Sequence, residues 1–213
     1  MLDLACAQAL ALDLVYLRNY VAANYTVSSD CDRIELVASK ADFSTAIGTC
    51  TFVGKRQRSL DGVASATLTT HSSRGKKLDA GLVVFKDSYR HAEIFYSAIK
   101  NKIVFSWENY WSGKMIVEES KPVDSGEIEF KVEATEEKHL FHSRSSGHEW
   151  VKSGEVDSLS LTCQGFTGPI FGIFAFGEGE VEFKHVQINS NLSMEDWPTT
   201  GIDVTRQDIV SVL

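Results

Sequence analysis

The sequence predicts an all-β fold, a two-sheet antiparallel β-sandwich. Short segments rich in valine, isoleucine, phenylalanine and threonine recur about every ten residues from Ile34 onward, and these residue types favour strands. Helical periodicity is weak between the two ends of the chain. The segment "IFGIFAF" is apolar on both alternating parities, as in a strand that is covered on both faces. Together these observations favour two packed sheets.

Eleven segments are predicted as strands, and turn residues separate them. Between the fourth and the fifth, for example, "DSY" predicts a hairpin, which makes these two strands antiparallel neighbours. In chain order the segments are "IELVAS", "TFVGKRQ", "GVASATLTT", "AGLVVFKD", "RHAEIFYSA", "NKIVFSW", "KMIVEE", "GEIEFKVEA", "HLFHSRS", "PIFGIFAFG" and "VEFKHVQI".

The two ends of the chain differ from the strand region. Residues 5–16 and the segment "VTRQDIVSV" show helical spacing, and Asp203 or Thr205 can cap the second helix. The apolar N-terminal run has no Lys or Arg ahead of it and contains two aspartates, so we expect no signal peptide. Extracellular and cytoplasmic locations both stay open. We expect three parts: a leader (1–14), a β-sandwich (15–192) and a tail (193–213).

Composition excludes several classes of partner. The formal net charge of −8 disfavours nucleic-acid binding, which needs a basic face, and no apolar run reaches the roughly 18 residues that cross a membrane. The six histidines form no HxH or HExxH pattern, so we expect no zinc. A calcium ion is compatible with such sandwiches, but no acidic loop cluster indicates one. We therefore expect no cofactor.

The cysteines fit no metal or redox motif, because their spacings are wide and no CxxC pair is present. We expect buried free thiols, and a single disulfide stays open for a secreted protein. The four are Cys6, Cys31, Cys50 and Cys163.

One predicted strand carries a row of glutamates. In "GEIEFKVEATEE", Glu127, Glu129 and Glu133 share one parity, and some sandwich-fold glycosidases use paired carboxylates. Here Lys131 lies between them on the same face, an alternation of charge that favours a solvated outer surface. A sandwich-fold glycosidase acting on plant polysaccharide through Glu127 and Glu129 stays as an alternative function.

Aromatic residues around one predicted turn indicate a sugar site. "SWENYW" places Trp107, Tyr110 and Trp111 within five positions, and flat aromatic rings stack on the C–H face of a pyranose. An equally weighted alternative is that Trp107 ends a core strand. In "SSGHEW" we expect Trp150 to anchor a hairpin in the core.

The stretch "GFTGPIFGIFAFGEGE" (residues 165–180) divides into an entry loop and a buried strand. We expect Phe171, Phe174 and Phe176 in the core, with Gly172 allowing close packing against the facing sheet. Phe166 in the entry loop remains a candidate for contact with a ligand or a partner.

Five segments of the chain match, in order, the motifs of one known domain. The most specific is Phe-Thr-Gly-x-x-x-Gly-x-x-Ala, from Phe166 to Ala175, and Lys55, Arg56 and Gln57 match a basic-basic-Gln strand end. Over about residues 15–190 the chain resembles the C-terminal domain of family 43 β-xylosidases. The matching segments are "YLRNYVAANYTV", "VGKRQRSLDGVASATL", "AGLVVFKDSYRHAEIFY", "SRSSGHEW" and "GFTGPIFGIFAFGEGEVEFKHVQI".

The resemblance implies a concanavalin A-like jelly roll that is not itself the catalyst. In that family a five-bladed propeller carries an Asp base, an Asp that tunes the acid, and a Glu acid. The sandwich supports the propeller, and an aromatic side chain of the Phe-Thr-Gly region closes one side of the sugar pocket. The motif match gives this position to Phe166. The given sequence holds no such catalytic set, so the resemblance implies a non-catalytic, carbohydrate-associated accessory domain.

These arguments define the expected function and site. The domain binds a glycan or completes a propeller active site, so its partner is a xylan-type oligosaccharide or a family 43 catalytic propeller. A truncated, inactive relative that acts as a protein-interaction module stays as a further alternative. We expect no catalytic residue, and we predict ligand contacts for Phe166, Arg56, Gln57, His91, Trp107, Tyr110 and Trp111.

Overall fold

Two antiparallel seven-stranded sheets face each other in the part of the chain that the computed structural model describes. That part comprises residues 14–30, 32–70, 75–109, 114–124, 126–162 and 167–189, with the backbone alone for 114–119, 121, 122 and 189. The all-β sandwich predicted from the sequence is confirmed.

We name the sheets I and II and give their strands in spatial order. Sheet I contains β1 (Leu14–Tyr16), β4 (Phe52–Arg56), β13 (Ile170–Gly177), β6 (Leu78–Asp87), β7 (Arg90–Ser97), β8 (Lys102–Asn109) and β9 (Lys114–Pro122). Sheet II contains β12 (Val151–Asp157), β11 (Lys138–Ser145), β10 (Glu127–Ala134), β5 (Gly62–Thr69), β14 (Glu180–Asn189), β3 (Arg33–Val37) and β2 (Tyr25–Val27). Short 3-10 turns cover Ala22–Asn24 and Ser158–Leu161.

Strict alternation on β10 shows why these residues form a sandwich. Ile128, Phe130 and Val132 are completely buried between the sheets, while the glutamates between them point outward. Because side chains alternate across a strand, one face of β10 joins the core and the other meets solvent. The central strands of both sheets contribute to this core in the same way.

Strand β13 is apolar on both faces because each face is covered. Phe171 and Ile173 point into the core between the sheets. Phe174 points the other way, into a second apolar cluster that we name the outer layer. A crossing segment, residues 38–50, lies over this cluster and contributes Phe43 and Cys50. The sequence prediction of a doubly covered strand is confirmed for Phe171 and Phe174. Phe176 differs, because it lies at the end of β13 and is only partly buried at the margin of the outer layer.

Gly172 corrects one detail of that prediction. A Cβ at this position would lie 2.3 Å from Cε2 of Phe52, which belongs to the outer layer. Gly172 therefore makes room for the Phe52 ring on the outside of sheet I, and not for the facing sheet. The reason is parity, since Gly172 shares the outward face of β13 with Phe174.

Three short or irregular strands differ from the sequence prediction. Leu14–Tyr16 was expected to end a helix, but it pairs with β4 as strand β1. Strands β2 and β12 were not predicted. Trp150 does not anchor the core, because its ring lies beneath Lys131 and Arg144 on the outer side of sheet II. Residues 5–13 and the predicted C-terminal helix lie outside the described residues.

The described residues also show the state of one cysteine, and they contain neither a metal-ligand cluster nor a membrane-spanning helix. Cys50 is a free thiol, and burial raises its pKa to about 12; the other cysteines lie outside the described residues. No cluster of three or more His, Cys, Asp or Glu side chains in this part of the chain is arranged to hold a metal ion. No described helix has the length and hydropathy needed to traverse a bilayer.

Candidate functional site

The first candidate region is the end of β4 and the segment that enters β13, residues 167–169, which we name the β13 entry. Arg56 donates a hydrogen bond from Nη1 to the carbonyl of Gly168 at 2.8 Å. The backbone N–H of Gln57 donates to the carbonyl of Pro169, also at 2.8 Å. Lys86 on β6 donates to the carbonyl of Thr167. Three consecutive carbonyls are thus held by three donors.

Gly168 allows this close approach. A Cβ at Gly168 would lie 2.8 Å from the carbonyl oxygen of Gln57, closer than side-chain carbons approach backbone oxygens. Any larger residue would push the entry away from β4 and lengthen the hydrogen bonds that hold it. The glycine of the Phe-Thr-Gly motif therefore has a packing role in this structure.

Gln57 connects the β13 entry to sheet II. Its side-chain Nε2 donates to the carbonyls of Ser59 and Leu60 at 2.8 and 3.0 Å. Its Oε1 lies 3.4 Å from Nε2 of His139 on β11. Because an amide oxygen only accepts, His139 carries its proton on Nε2 in this contact.

His139 is buried, and burial lowers its pKa to about 4, so the ring is neutral at physiological pH. Its Nδ1 lies 3.1 Å from the hydroxyl of Ser158. The neutral ring thus connects sheet II to Gln57 at the end of β4 through Nε2, and contacts the 3-10 turn Ser158–Leu161 through Nδ1. Sequence reasoning treated His139 only as one of six histidines that form no zinc motif. Its inward parity on β11 was the one signal for a structural role.

The second candidate region is a cleft of about 500 Å³ on the outer side of sheet I, which we name the sheet I cleft. Strands β6, β7 and β8 form its floor, and the crossing segment and the end of β13 form its sides. Aromatic walls come from Phe43, Phe95, Phe174 and Phe176. Carboxyl groups come from Asp42, Asp79, Glu93 and Glu108.

His91 lies at one side of this cleft. Its Nε2 is 3.8 Å from Oε2 of Glu108, which also accepts a hydrogen bond from the Ser44 hydroxyl at 2.9 Å. The ring packs against Phe43, with 5.3 Å between centroids. Burial lowers the pKa of His91, and the carboxylate of Glu108 opposes this shift in part.

Glu93 has the strongest electrostatic perturbation in the cleft. Burial, and then the charges of Asp79, Asp42 and Glu108, raise its pKa to about 8, although a hydrogen bond from Ser106 acts in the opposite direction. The pKa of Asp79 is also raised, chiefly by burial. With a pKa of about 8, the carboxyl of Glu93 is mostly protonated at neutral pH and can donate a hydrogen bond.

The structure distributes the predicted ligand contacts over separate places. Arg56 and Gln57 hold the β13 entry, and His91 lies in the sheet I cleft. Trp107 is 8% exposed and packs between the sheets, which favours the interpretation as a core strand. The other three residues, Tyr110, Trp111 and Phe166, lie outside the described residues. Sequence reasoning did not identify Glu93, Asp79 or the crossing segment.

The glutamates of the alternative enzyme hypothesis lie on the outer face of sheet II. Glu127 accepts a hydrogen bond from Lys184 Nζ at 2.8 Å, and Glu129 accepts one from Arg144 Nη2 at 2.6 Å. Each carboxylate is thus engaged by a cation of another strand on an outer face of the sandwich. This pairing favours the solvated charged surface that the sequence predicted.

The match to a known domain covers most of the sandwich just described. The sequence pattern of the beta xylosidase C-terminal concanavalin A-like domain matches residues 7–189. The chain belongs to this family. The resemblance inferred from the sequence motifs is therefore confirmed.

Solved structures show the same fold at low identity. The GH43 protein BlXynB of Bacillus licheniformis has a TM-score of 0.73 and 19% identity over 89% of this chain. The Bacteroides ovatus xyloglucan PUL GH43B has a TM-score of 0.66 and 21% identity over 81%. The xylan beta-1,4-xylosidase of Bacillus halodurans C-125 has a TM-score of 0.63 and 13% identity over 83%.

These structures are much longer than the part they share with this chain. The matched region spans 38% of the Bacillus licheniformis chain, 36% of the Bacteroides ovatus chain and 39% of the Bacillus halodurans chain. A search of curated proteins finds no significant match.

Proposed function

We propose that this domain is a non-catalytic accessory domain that packs against a GH43 catalytic propeller and completes its active site. The observation that carries the proposal is the anchored β13 entry. Arg56, Gln57 and Lys86 hold three consecutive carbonyls of the segment that begins directly after Phe166. A segment fixed in this way loses little conformational entropy when a partner binds it.

Phe166 is the side chain proposed to contact the propeller. The motif match selects it, and its peptide bond to the anchored Thr167 places it next to the rigid entry in the chain. An aromatic side chain can bury a large apolar area and still contact the edge of a sugar. The sugar that Phe166 would contact is a xylan-type oligosaccharide, since relatives of this fold include a xylan beta-1,4-xylosidase.

The structure favours this proposal over an independent glycosidase. The carboxylates of the enzyme hypothesis, Glu127 and Glu129, are paired with Lys184 and Arg144 on the outer face of sheet II. A propeller supplies the catalytic groups in the proposed assembly, and this chain supplies a supporting surface and one aromatic contact.

The test mixes this chain with a GH43 catalytic propeller that lacks its own C-terminal domain. Isothermal calorimetry measures binding, and hydrolysis of an aryl β-xyloside measures completion of the active site. We expect a complex with increased activity, and Phe166→Ala should weaken binding by at least about tenfold, as for an aromatic anchor. Arg56→Ala, which frees the carbonyl of Gly168, should weaken it to a smaller extent.

Ile99→Ala is the matched control. Ile99 is 63% exposed in the hairpin at the opposite end of sheet I, so this variant removes exposed apolar area without touching the β13 entry. Failure of several GH43 propellers to bind, or binding that Phe166→Ala leaves intact, would contradict the proposal. If the complex forms but its activity is unchanged, the domain would still be a protein-interaction module, and the proposal that it completes the active site would be wrong.

A further inference from the structure

The sheet I cleft has the size and the walls of a small-molecule site. Its volume of about 500 Å³ lies within the range of such sites. Phe95 and Phe176 are partly exposed to it, and the buried rings of Phe43 and Phe174 support them from behind. The ring centroids of Phe43 and Phe176 are 4.7 Å apart, so the walls are packed rather than loose.

Hydrogen-bonding groups of both kinds converge on the same cleft. Carboxyl oxygens can accept hydrogen bonds, the ammonium groups of Lys40 and Lys77 can donate them, and the hydroxyls of Ser44 and Ser106 can do both. A ligand with many neutral hydroxyl groups matches this mixture, because each hydroxyl both donates and accepts. Apolar walls suit the C–H faces of the same molecule.

A metal ion or an organic cation matches the cleft less well. The described residues contain no three-ligand cluster for a metal, and two lysines line the cleft beside the carboxyl groups. The pKa of Glu93, raised to about 8, keeps its carboxyl mostly neutral at pH 7, which reduces the negative charge of the floor.

We propose that the sheet I cleft binds a neutral sugar, with Phe95 and Phe176 as its apolar walls and Glu93 as a central hydrogen-bonding group. This proposal goes beyond the accessory function. It requires no propeller. Its residues lie on β6, β7, β8 and the crossing segment, and they are different from those that hold the β13 entry.

Protonation of Glu93 makes the proposed site pH-dependent. Below about pH 8 its carboxyl donates a hydrogen bond to a sugar hydroxyl, and above that pH it becomes a charged acceptor among other carboxylates. Affinity should therefore fall as the pH rises from 6 to 9. The charged and titratable groups that face Glu93 are Asp79 from β6, His91 from its own strand, Glu108 from β8, Lys77 beside β6, and Lys40 and Asp42 from the crossing segment.

The experiment titrates the full chain, labelled with ¹⁵N, with xylotriose and separately with cellotriose at pH 6 and pH 9. We expect chemical-shift changes on β6, β7 and β8, and an affinity about tenfold weaker at pH 9, the effect of losing one good hydrogen bond. A separate titration with arginine hydrochloride tests whether the cleft binds an organic cation in place of a neutral sugar.

Three variants make the result specific. Glu93→Leu removes the donor without adding charge and should weaken binding about tenfold at pH 6, and Phe176→Ala should weaken it similarly. Glu93→Gln keeps a donor at every pH, so it should bind equally well at pH 6 and pH 9. Glu133→Gln, on the outer face of sheet II, is the matched control and should not change the titration.

Four outcomes would overturn the proposal. The first is the absence of any response to either trisaccharide at its solubility limit, and the second is chemical-shift changes confined to the β13 entry. The third is sugar binding that Glu93→Leu leaves unchanged. The fourth is arginine binding that strengthens towards pH 9 without any response to sugar. Because Glu93→Leu leaves the aromatic walls intact, it decides the question even if Phe176→Ala fails to fold. None of these results depends on a propeller, so they are separate from the test of the accessory function.

Discussion

The outer faces of the two sheets both carry glutamates, but their surroundings differ. On sheet II, Glu127 and Glu129 each have a cation within 2.8 Å, from Lys184 and Arg144. On sheet I, no salt bridge reaches Glu93 from the described residues, and burial together with nearby carboxylates raises its pKa to about 8. The same residue type is therefore paired with a cation on one face, while on the other its raised pKa keeps it mostly neutral.

The crossing segment explains this difference. It covers part of sheet I and builds the outer layer around Phe43 and Phe174, so Glu93 lies at the margin of an apolar cluster. On sheet II the side chains of Glu127 and Glu129 are also partly covered, at 38% and 23% exposure, but there each carboxylate pairs with a cation. The pKa of Glu93 is thus determined by its surroundings, which include a distant segment of the chain, and not by the strand on which it lies.

The largest expected difference between the faces concerns stability. Phe174→Ala removes a ring that is 1% exposed in the outer layer and should cost about 3–5 kcal/mol of unfolding free energy. Thr67→Ala, on the outer face of sheet II, should cost about 1 kcal/mol or less. Urea unfolding followed by fluorescence measures both. Similar costs for the two variants would show that the crossing segment does not form a real second core.

The next effect is the pH dependence of stability caused by Glu93. Its pKa is raised from 4.5 in the unfolded chain to about 8 in the fold, so the folded protein binds more protons between these values. Stability from this group is complete below pH 4.5 and is lost as the pH rises through 8, by at most about 1.4 kcal/mol per pH unit.

Glu93→Gln should remove this dependence. Since Glu93 is partly exposed, we expect the variant to be more stable than the wild type by about 1–3 kcal/mol at pH 8, and equal to it near pH 4. Urea unfolding at pH 4, 6 and 8 gives the comparison, with Glu133→Gln as the control from sheet II. A stability difference between Glu93→Gln and wild type that is the same at all three pH values would show that the cleft does not raise the pKa of Glu93.

The smallest effect belongs to the ion pairs of sheet II. Glu129→Gln breaks the pair with Arg144 and should cost about 1 kcal/mol or less, because both side chains are partly exposed. In 1 M salt the cost should shrink further. Measuring the unfolding free energy at low and high salt checks this, and a cost above about 2 kcal/mol would indicate a role beyond a surface pair.

The sequence predicted the parts of the fold that depend on local pattern. The alternation in β10 and the doubly apolar β13 both appear as expected, because the periodicity of a strand is set by residues that are adjacent in the sequence. Strands β1 and β2 have three residues each, too short to show a period, and β12 is largely exposed without an apolar alternation.

The candidate sites depended on contacts between distant parts of the chain. Arg56 and Gln57 were selected by a motif, but their roles follow from carbonyls more than 100 residues away. Glu93 looked like an ordinary polar residue of a strand, and only the crossing segment and two neighbouring strands make it unusual. His139 was missed for the same reason, since its partners Gln57 and Ser158 come from other elements.

The order of strands in sheet I determines how far a sugar chain bound in the sheet I cleft would lie from the β13 entry. Strand β7, which carries Glu93, lies three positions from β4, and neighbouring strands are spaced so that this is about 14 Å. A sugar chain held in the cleft would then be tethered close to whatever docks at the β13 entry. Tethering raises the effective concentration of the remaining sugar units at that neighbouring surface, without any additional contact there.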